Sequence, residues 1–100
     1  MTALERAAPS EPDRVTLIEA MSIARQSVAL FTDFPIDAVV SCKAEASGWR
    51  VVVDVVEAPA RLGDNDLLLS YALTLSATGE VEDFSRLRRY HREDPAGAAP

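Results

Sequence analysis

One cysteine, one histidine, few aromatic residues and no long apolar run are what this 100-residue sequence offers, and each scarcity removes a class of function. With Cys42 alone, no intramolecular disulfide can form. No histidine neighbours Cys42 in sequence, the only one being His91, so Cys42 reads as a buried structural thiol rather than a nucleophile. Metal-ligand spacing and a glycine-rich phosphate loop are both lacking, so neither a metal nor a cofactor is expected. Asp64 and Asp66 flank Asn65 without the remainder of a calcium loop and read as solvated acids. Asp54 and Glu57 stand three apart in an extended run, face opposite sides, and cannot form a catalytic carboxylate pair. The expectation is a protein that is not an enzyme. No apolar stretch approaches the roughly 18 residues that span a bilayer. The start of the chain lacks the basic-then-apolar pattern of a signal peptide, so no membrane partner and a cytoplasmic location are expected.

What is present is ordinary globular composition, 48% apolar and 26% charged, at a length that suits one domain. Residues 1–12 and 93–100 mix Ala, Pro and charge without period and read as disordered tails around a single domain at 13–92. Net charge is −6, unevenly spread: Arg86, Arg88, Arg89 and Arg92 contribute +4, leaving −10 for the remainder. An acidic body of this kind makes nucleic acid an unlikely partner, since phosphate contact needs a basic surface.

Thr16 and Glu19 match a capping box. Beyond them Leu17, Met21, Ala24, Val28 and Phe31 recur at helical spacing, which predicts an amphipathic helix over 16–31, ended by Pro35. Residues 38–46 alternate as a strand with Ala38, Val40, Cys42 and Ala44 inward. The turn Ala46-Ser47-Gly48 leads into the central strand, where Trp49, Val51, Val53 and Val55 share one face. After a loop at 58–65, Leu67, Leu69, Tyr71, Leu73 and Leu75 give the clearest period of two. Gly79 is the expected left-handed residue of the next turn. In the last strand, from Val81 to Tyr90, Val81 and Phe84 differ in parity, which a bulge near Glu82-Asp83 would reconcile. The expected fold is α+β: one N-terminal amphipathic helix on a four-stranded antiparallel meander.

Several of these residues also form a recognisable set. Gly48-Trp49 opens valines alternating with acids, followed by Asp54, Glu57, Arg61, Asp66, Tyr71 and Gly79. The run Arg86-Leu87-Arg88-Arg89-Tyr90-His91-Arg92 closes it, and a helix containing Ala20, Ala24 and Leu30 precedes it. Over about residues 17 to 92 the chain thereby resembles the gas vesicle protein O family (GvpO). It departs from the family pattern at Asp54, where Glu is usual, at Gly63, where Pro is common, and at Ala72, where an acid often follows the Tyr. The resemblance implies an accessory, non-shell protein of gas vesicle assembly acting through protein–protein contact. It further implies other gas vesicle proteins, shell or accessory, as partners, and association with the vesicles.

Two candidate contact surfaces emerge from the residues. One is the basic strand: Arg86, Arg88, Arg89, Tyr90 and Arg92. Its alternatives are a solvated edge that discourages aggregation and internal pairing with Asp54, Glu57 or Asp66. The other is the sheet face away from the helix, where Val52, Val56, Leu68 and Ala72 would form an exposed apolar patch, suited to a partner or to a homodimer stacked sheet to sheet. A small nucleic-acid-binding regulator using strand 86–92 is the alternative function.

Overall fold

The computed structural model describes residues 13–98; the stretch expected as an N-terminal tail lies outside them. Helix α1 (Leu17–Phe31) precedes five strands: β1 (Ile36–Glu45), β2 (Gly48–Ala58), β3 (Leu67–Ser76), β4 (Val81–His91) and β5 (Asp94–Ala98). They form one antiparallel sheet in chain order. The α+β class is as expected, but the strand count is five rather than four. β5 falls in the stretch read as the C-terminal tail. It pairs only with Tyr90 and His91 at the end of β4, and its Pro95 is tolerable because an edge strand need not donate on both sides.

The helix starts where the capping box puts it, with the Glu19 amide donating to the Thr16 hydroxyl and the Thr16 amide to the Glu19 carboxylate. Its buried stripe is Ala20, Ala24 and Val28, with Ile23 beside them, and differs from the expected one. Leu17 and Phe31 are exposed, and only Ala24 and Val28 of the expected five are fully buried. Small side chains at positions 20 and 24 let the helix backbone approach the sheet closely. A larger residue facing the sheet there would hold it away.

In the buried cluster these residues meet Trp49, Val51, Val53 and Val55 of β2 and Leu69, Leu73 and Leu75 of β3, with Tyr71 and Phe84 partly buried against them. The odd-numbered faces of β2 and β3 are therefore core, as their alternation indicates. β1 corrects the sequence reading: Ile36, Val39 and Cys42 point to the cluster, while Val40 is exposed. Register shifts leave Asp37 and Val40 as extra residues in β1, and each extra residue flips the parity of the positions after it. Burial raises the Cys42 thiol pKa above its usual range, in keeping with a structural cysteine.

Two glycines are dictated by the packing. A Cβ on Gly48 would lie 1.8 Å from the Leu75 carbonyl oxygen, so β2 and β3 approach there only because position 48 has no side chain. Gly79 adopts φ 94° in the β3–β4 turn, as expected of it. The expected bulge in β4 is present, with Glu82 the extra residue between the pairs Leu75–Val81 and Thr74–Asp83.

Candidate functional site on the basic strand

β4 and the turn after it carry their arginines into different surroundings. In that turn, Arg92 donates from Nη2 to Asp37 Oδ1 at 2.8 Å and to Asp66 Oδ2 at 2.9 Å. Its own amide donates to the Asp66 carbonyl at 2.8 Å. The other Asp66 oxygen accepts the Ala60 amide at 2.8 Å, which fixes the β2–β3 loop. That amide and Arg92 hold the Asp66 carboxyl below its ordinary range, the amide having the larger effect. Arg92 is reciprocally held above its own range, by Asp37 first and then Asp66. Asp37 is an extra residue of a β1 bulge, a feature that commonly re-aims a side chain.

One turn of the pleat earlier, Arg89 grips Glu57 with two donors, Nε to Oε1 at 2.9 Å and Nη2 to Oε2 at 3.3 Å. This fork geometry suits guanidinium and carboxylate. Together the two pairs fasten β1, β2 and the β2–β3 loop to the end of β4. Internal pairing with Glu57 and Asp66, one of the alternatives weighed for this strand, is thus what Arg89 and Arg92 do. Asp37 was not singled out from the sequence, because nothing local marks it as a bulge residue.

Tyr90 and Arg88 lie on the sheet face away from the helix. Cross-strand pairs there are Val52–Ala72, Asp54–Ser70 and Val56–Leu68, with Arg88 beside Ser70 and Tyr90 beside Leu68. Asp54 is 1% exposed and accepts hydrogen bonds from the Ser70 and Tyr90 hydroxyls, one on each oxygen. Tyr90 is pushed up to about 12, first by burial and then by the Asp54 carboxylate, which stabilises the protonated phenol. The Arg88 guanidinium lies 4.3 Å from the Tyr90 ring centre and also donates to the Pro95 carbonyl, holding β5 against β4.

The expected exposed patch on this face is corrected by these contacts. Val52, Leu68 and Ala72 are buried within the chain, and Val56 is half-buried. Leu68 lies beside Tyr90 across the sheet. Period-two reasoning assigns a face but cannot give how deeply the side chains on it are covered.

Arg86 has different company. It is exposed, pairs across the sheet with Tyr71, and makes no ion pair among the described residues. At the opposite end of the sheet, Arg14 donates to the Gly48 carbonyl at 2.7 Å and lies 4.9 Å from the centre of the Trp49 ring, a contact the sequence did not suggest. Among the described residues no group of His, Cys, Asp and Glu is arranged to hold a metal ion. No helix among them is long and apolar enough to cross a membrane.

Residues 3–95 match the family described as gas vesicle synthesis protein GvpO. The chain is 33% identical over 79 residues to gas vesicle protein O1 of Halobacterium salinarum, covering 79% of this chain and 66% of that protein. It is 32% identical over 96 residues to gas vesicle protein O of Haloferax mediterranei, covering 93% of this chain and 69% of that one. A gas vesicle protein O from a Streptomyces species is 38% identical over 66 residues, 65% of this chain and 51% of the relative. The chain thus spans about two thirds of the length of the first two relatives and about half of the third. No solved structure matches it.

Proposed function

Because the chain belongs to the gas vesicle synthesis protein GvpO family, we propose that it is an accessory, non-shell protein of gas vesicle assembly that acts by binding another gas vesicle protein. The family match over residues 3–95 is the observation that carries this reading. The cytoplasm, in association with growing vesicles, is the location that goes with it.

The contact surface we assign to this partner is the sheet face away from the helix, around Arg88, Tyr90 and the half-buried Val56. A cationic group stacked on an aromatic ring, beside an aliphatic residue, offers both charge and apolar area to an acidic partner surface. Val52 and Leu68 support this surface from below. Pairing of Arg89 with Glu57 and of Arg92 with Asp37 and Asp66 favours protein over nucleic acid as the partner. Those pairs neutralise half of the basic strand within the chain, and phosphate binding needs cations that are not already matched.

Capture of purified gas vesicle proteins by the wild type and by Arg88→Glu and Val56→Lys variants tests the assignment. Weaker capture by both folded variants is expected, with a loss that grows as salt is lowered for Arg88→Glu only. Equal capture by wild type and variants would remove the face from consideration. Tight nucleic-acid binding with a steep salt slope would favour the regulator instead.

A further inference from the structure

We infer that Lys43 and Arg50, directly opposed on the same sheet face as Arg88, form a second cationic anchor for an acidic segment of a partner protein. The inference rests on the assignment of that face to partner binding and names the chemistry of what binds there. Lys43 of β1 pairs with Arg50 of β2, and Arg50 pairs in turn with Thr74 of β3. Directly opposed residues of antiparallel strands share a face with their Cβ atoms about 5 Å apart, and like charges so placed are destabilising. Lys43 is exposed and Arg50 half-buried, and neither makes an ion pair or a side-chain hydrogen bond among the described residues. Glu45, two residues on in β1, and Asp83, opposite Thr74, share this end of the face and leave the pair unmatched.

Elsewhere the chain meets its arginines with its own carboxylates: Arg89 with Glu57, and Arg92 with Asp37 and Asp66. The face away from the helix does the reverse. Its central carboxylate, Asp54, is buried and taken up by the hydroxyls of Ser70 and Tyr90, so it forms no ion pair with Lys43, Arg50 or Arg88. A chain of net charge −6 thus sets three cations without ion-pair partners on one face. Their complement is an acidic surface brought by another molecule, which offsets the repulsion between Lys43 and Arg50 when it binds.

The spacing of the cations indicates what kind of acid fits. Between the two anchors runs an uncharged row, Ser41, Val52, Ala72 and Ser85, paired in that order across four strands. Arg88 pairs with Ser70 and Ser70 with Asp54, which stands four residues along β2 from Arg50. At about 3.3 Å per residue along a strand and about 4.8 Å between strands, Arg88 lies roughly 16 Å from Arg50. A nucleic-acid backbone is charged at every nucleotide and would lay phosphates on the uncharged row and against Asp83. A protein segment with carboxylates at two ends and small or apolar residues between them matches the face throughout.

Fluorescence anisotropy of a labelled peptide with the full chain is the test. The probe carries two glutamates at each end of a neutral spacer long enough to join the two anchors. A peptide with one end neutralised and a single-stranded oligonucleotide are the comparisons. The two-ended peptide should bind best at low salt, and Lys43→Glu, Arg50→Glu and Arg88→Glu should each weaken it roughly tenfold. Thermal unfolding supplies a readout that a merely structural pair would not give. Lys43→Glu turns a like-charge pair into an opposite one, so it should melt above the wild type while binding is lost. Lys43→Gln should move both quantities the same way by less. Wild-type binding by Lys43→Glu and Arg50→Glu, equal binding of the two peptides, or a lower melting temperature for Lys43→Glu would overturn the inference. So would tighter binding of the oligonucleotide than of the peptide, or peptide binding seen only after residues 1–12 are removed, since that segment would then be the occupant. Loss of gas vesicle protein capture with Arg88→Glu but not with Lys43→Glu would remove the second anchor alone. Peptide binding that needs Lys43 and Arg50, beside gas vesicle protein capture indifferent to Arg88, would keep the anchor and remove the gas vesicle protein as its partner.

Discussion

Arg86, Arg88 and Arg89 lie on β4 and Arg92 in the turn just after it, but the earlier and later pairs of arginines do different work. The later pair is gripped by Glu57, Asp37 and Asp66 and closes the loop end of the sheet. The earlier pair stays exposed, Arg88 leaning on Tyr90 and Arg86 lying beside Tyr71 on the helix side. What separates them is the other strands, not the run itself: carboxylates reach positions 89 and 92 from β1, β2 and the β2–β3 loop, while position 86 is matched only by Tyr71. A cluster of like charge in sequence is therefore divided by topology into a fastening and a surface.

Both halves of β4 rest on a sheet whose core is centred on Val53, so this position sets the scale for the comparison. Val53→Ala removes two methyl groups from a fully buried site and should cost about 1–3 kcal/mol in denaturant unfolding. An unchanged midpoint would break the assignment of the odd-numbered face to the core. Next in size, Tyr90→Phe leaves one oxygen of the buried Asp54 without its donor and should cost about 1–2 kcal/mol. Arg89→Ala, at a half-exposed ion pair, should cost about 1 kcal/mol or less, whereas Arg86→Ala should stay within about 0.5 kcal/mol. A larger loss at Arg86 than at Arg89 would reverse the comparison.

The two ends of the pH scale sharpen it further. Asp66 titrates below 3.8 in the folded chain, so its contribution is fully present above that value and fades as the pH falls through the folded pKa. Tyr90 titrates near 12 when folded against 10.0 when unfolded. Its contribution is fully present below pH 10 and is lost as the pH rises toward 12. Stability measured across pH should fall at both ends. Asp66→Asn should flatten the acid limb and Tyr90→Phe part of the alkaline limb, each leaving the other unchanged.

Where alternation was unbroken the sequence could be read directly. Trp49, Val51, Val53 and Val55 are core, Thr16 and Glu19 form the capping box, and Glu82 supplies the bulge that the parity of Val81 and Phe84 required. Where an extra residue or a small one intervened, the same reasoning slipped. Val39 rather than Val40 is inward because register shifts in β1 add residues at 37 and 40. Ala20 lies at the helix–sheet contact because it is small, a fact that a search for large apolar residues passes over. β5 was hidden by Pro95 and Gly97, which mark a tail as readily as an edge strand. Of the candidate site, the basic run was visible and two of its acid partners were named. The third, Asp37, depends on a bulge, and the Tyr90–Asp54–Ser70 contact depends on which residues lie opposite one another across three strands.

The division within β4 is tested most directly by two double variants, Arg86→Glu with Arg88→Glu and Arg89→Gln with Arg92→Gln. Both are to be measured for thermal unfolding and for gas vesicle formation when they replace the wild-type protein in a vesicle-forming host. The first should melt close to the wild type and fail to support vesicles; the second should melt at a clearly lower temperature. If the first variant melts as the wild type does and still supports vesicles fully, the exposed arginines are not the working surface of this protein and the account is wrong.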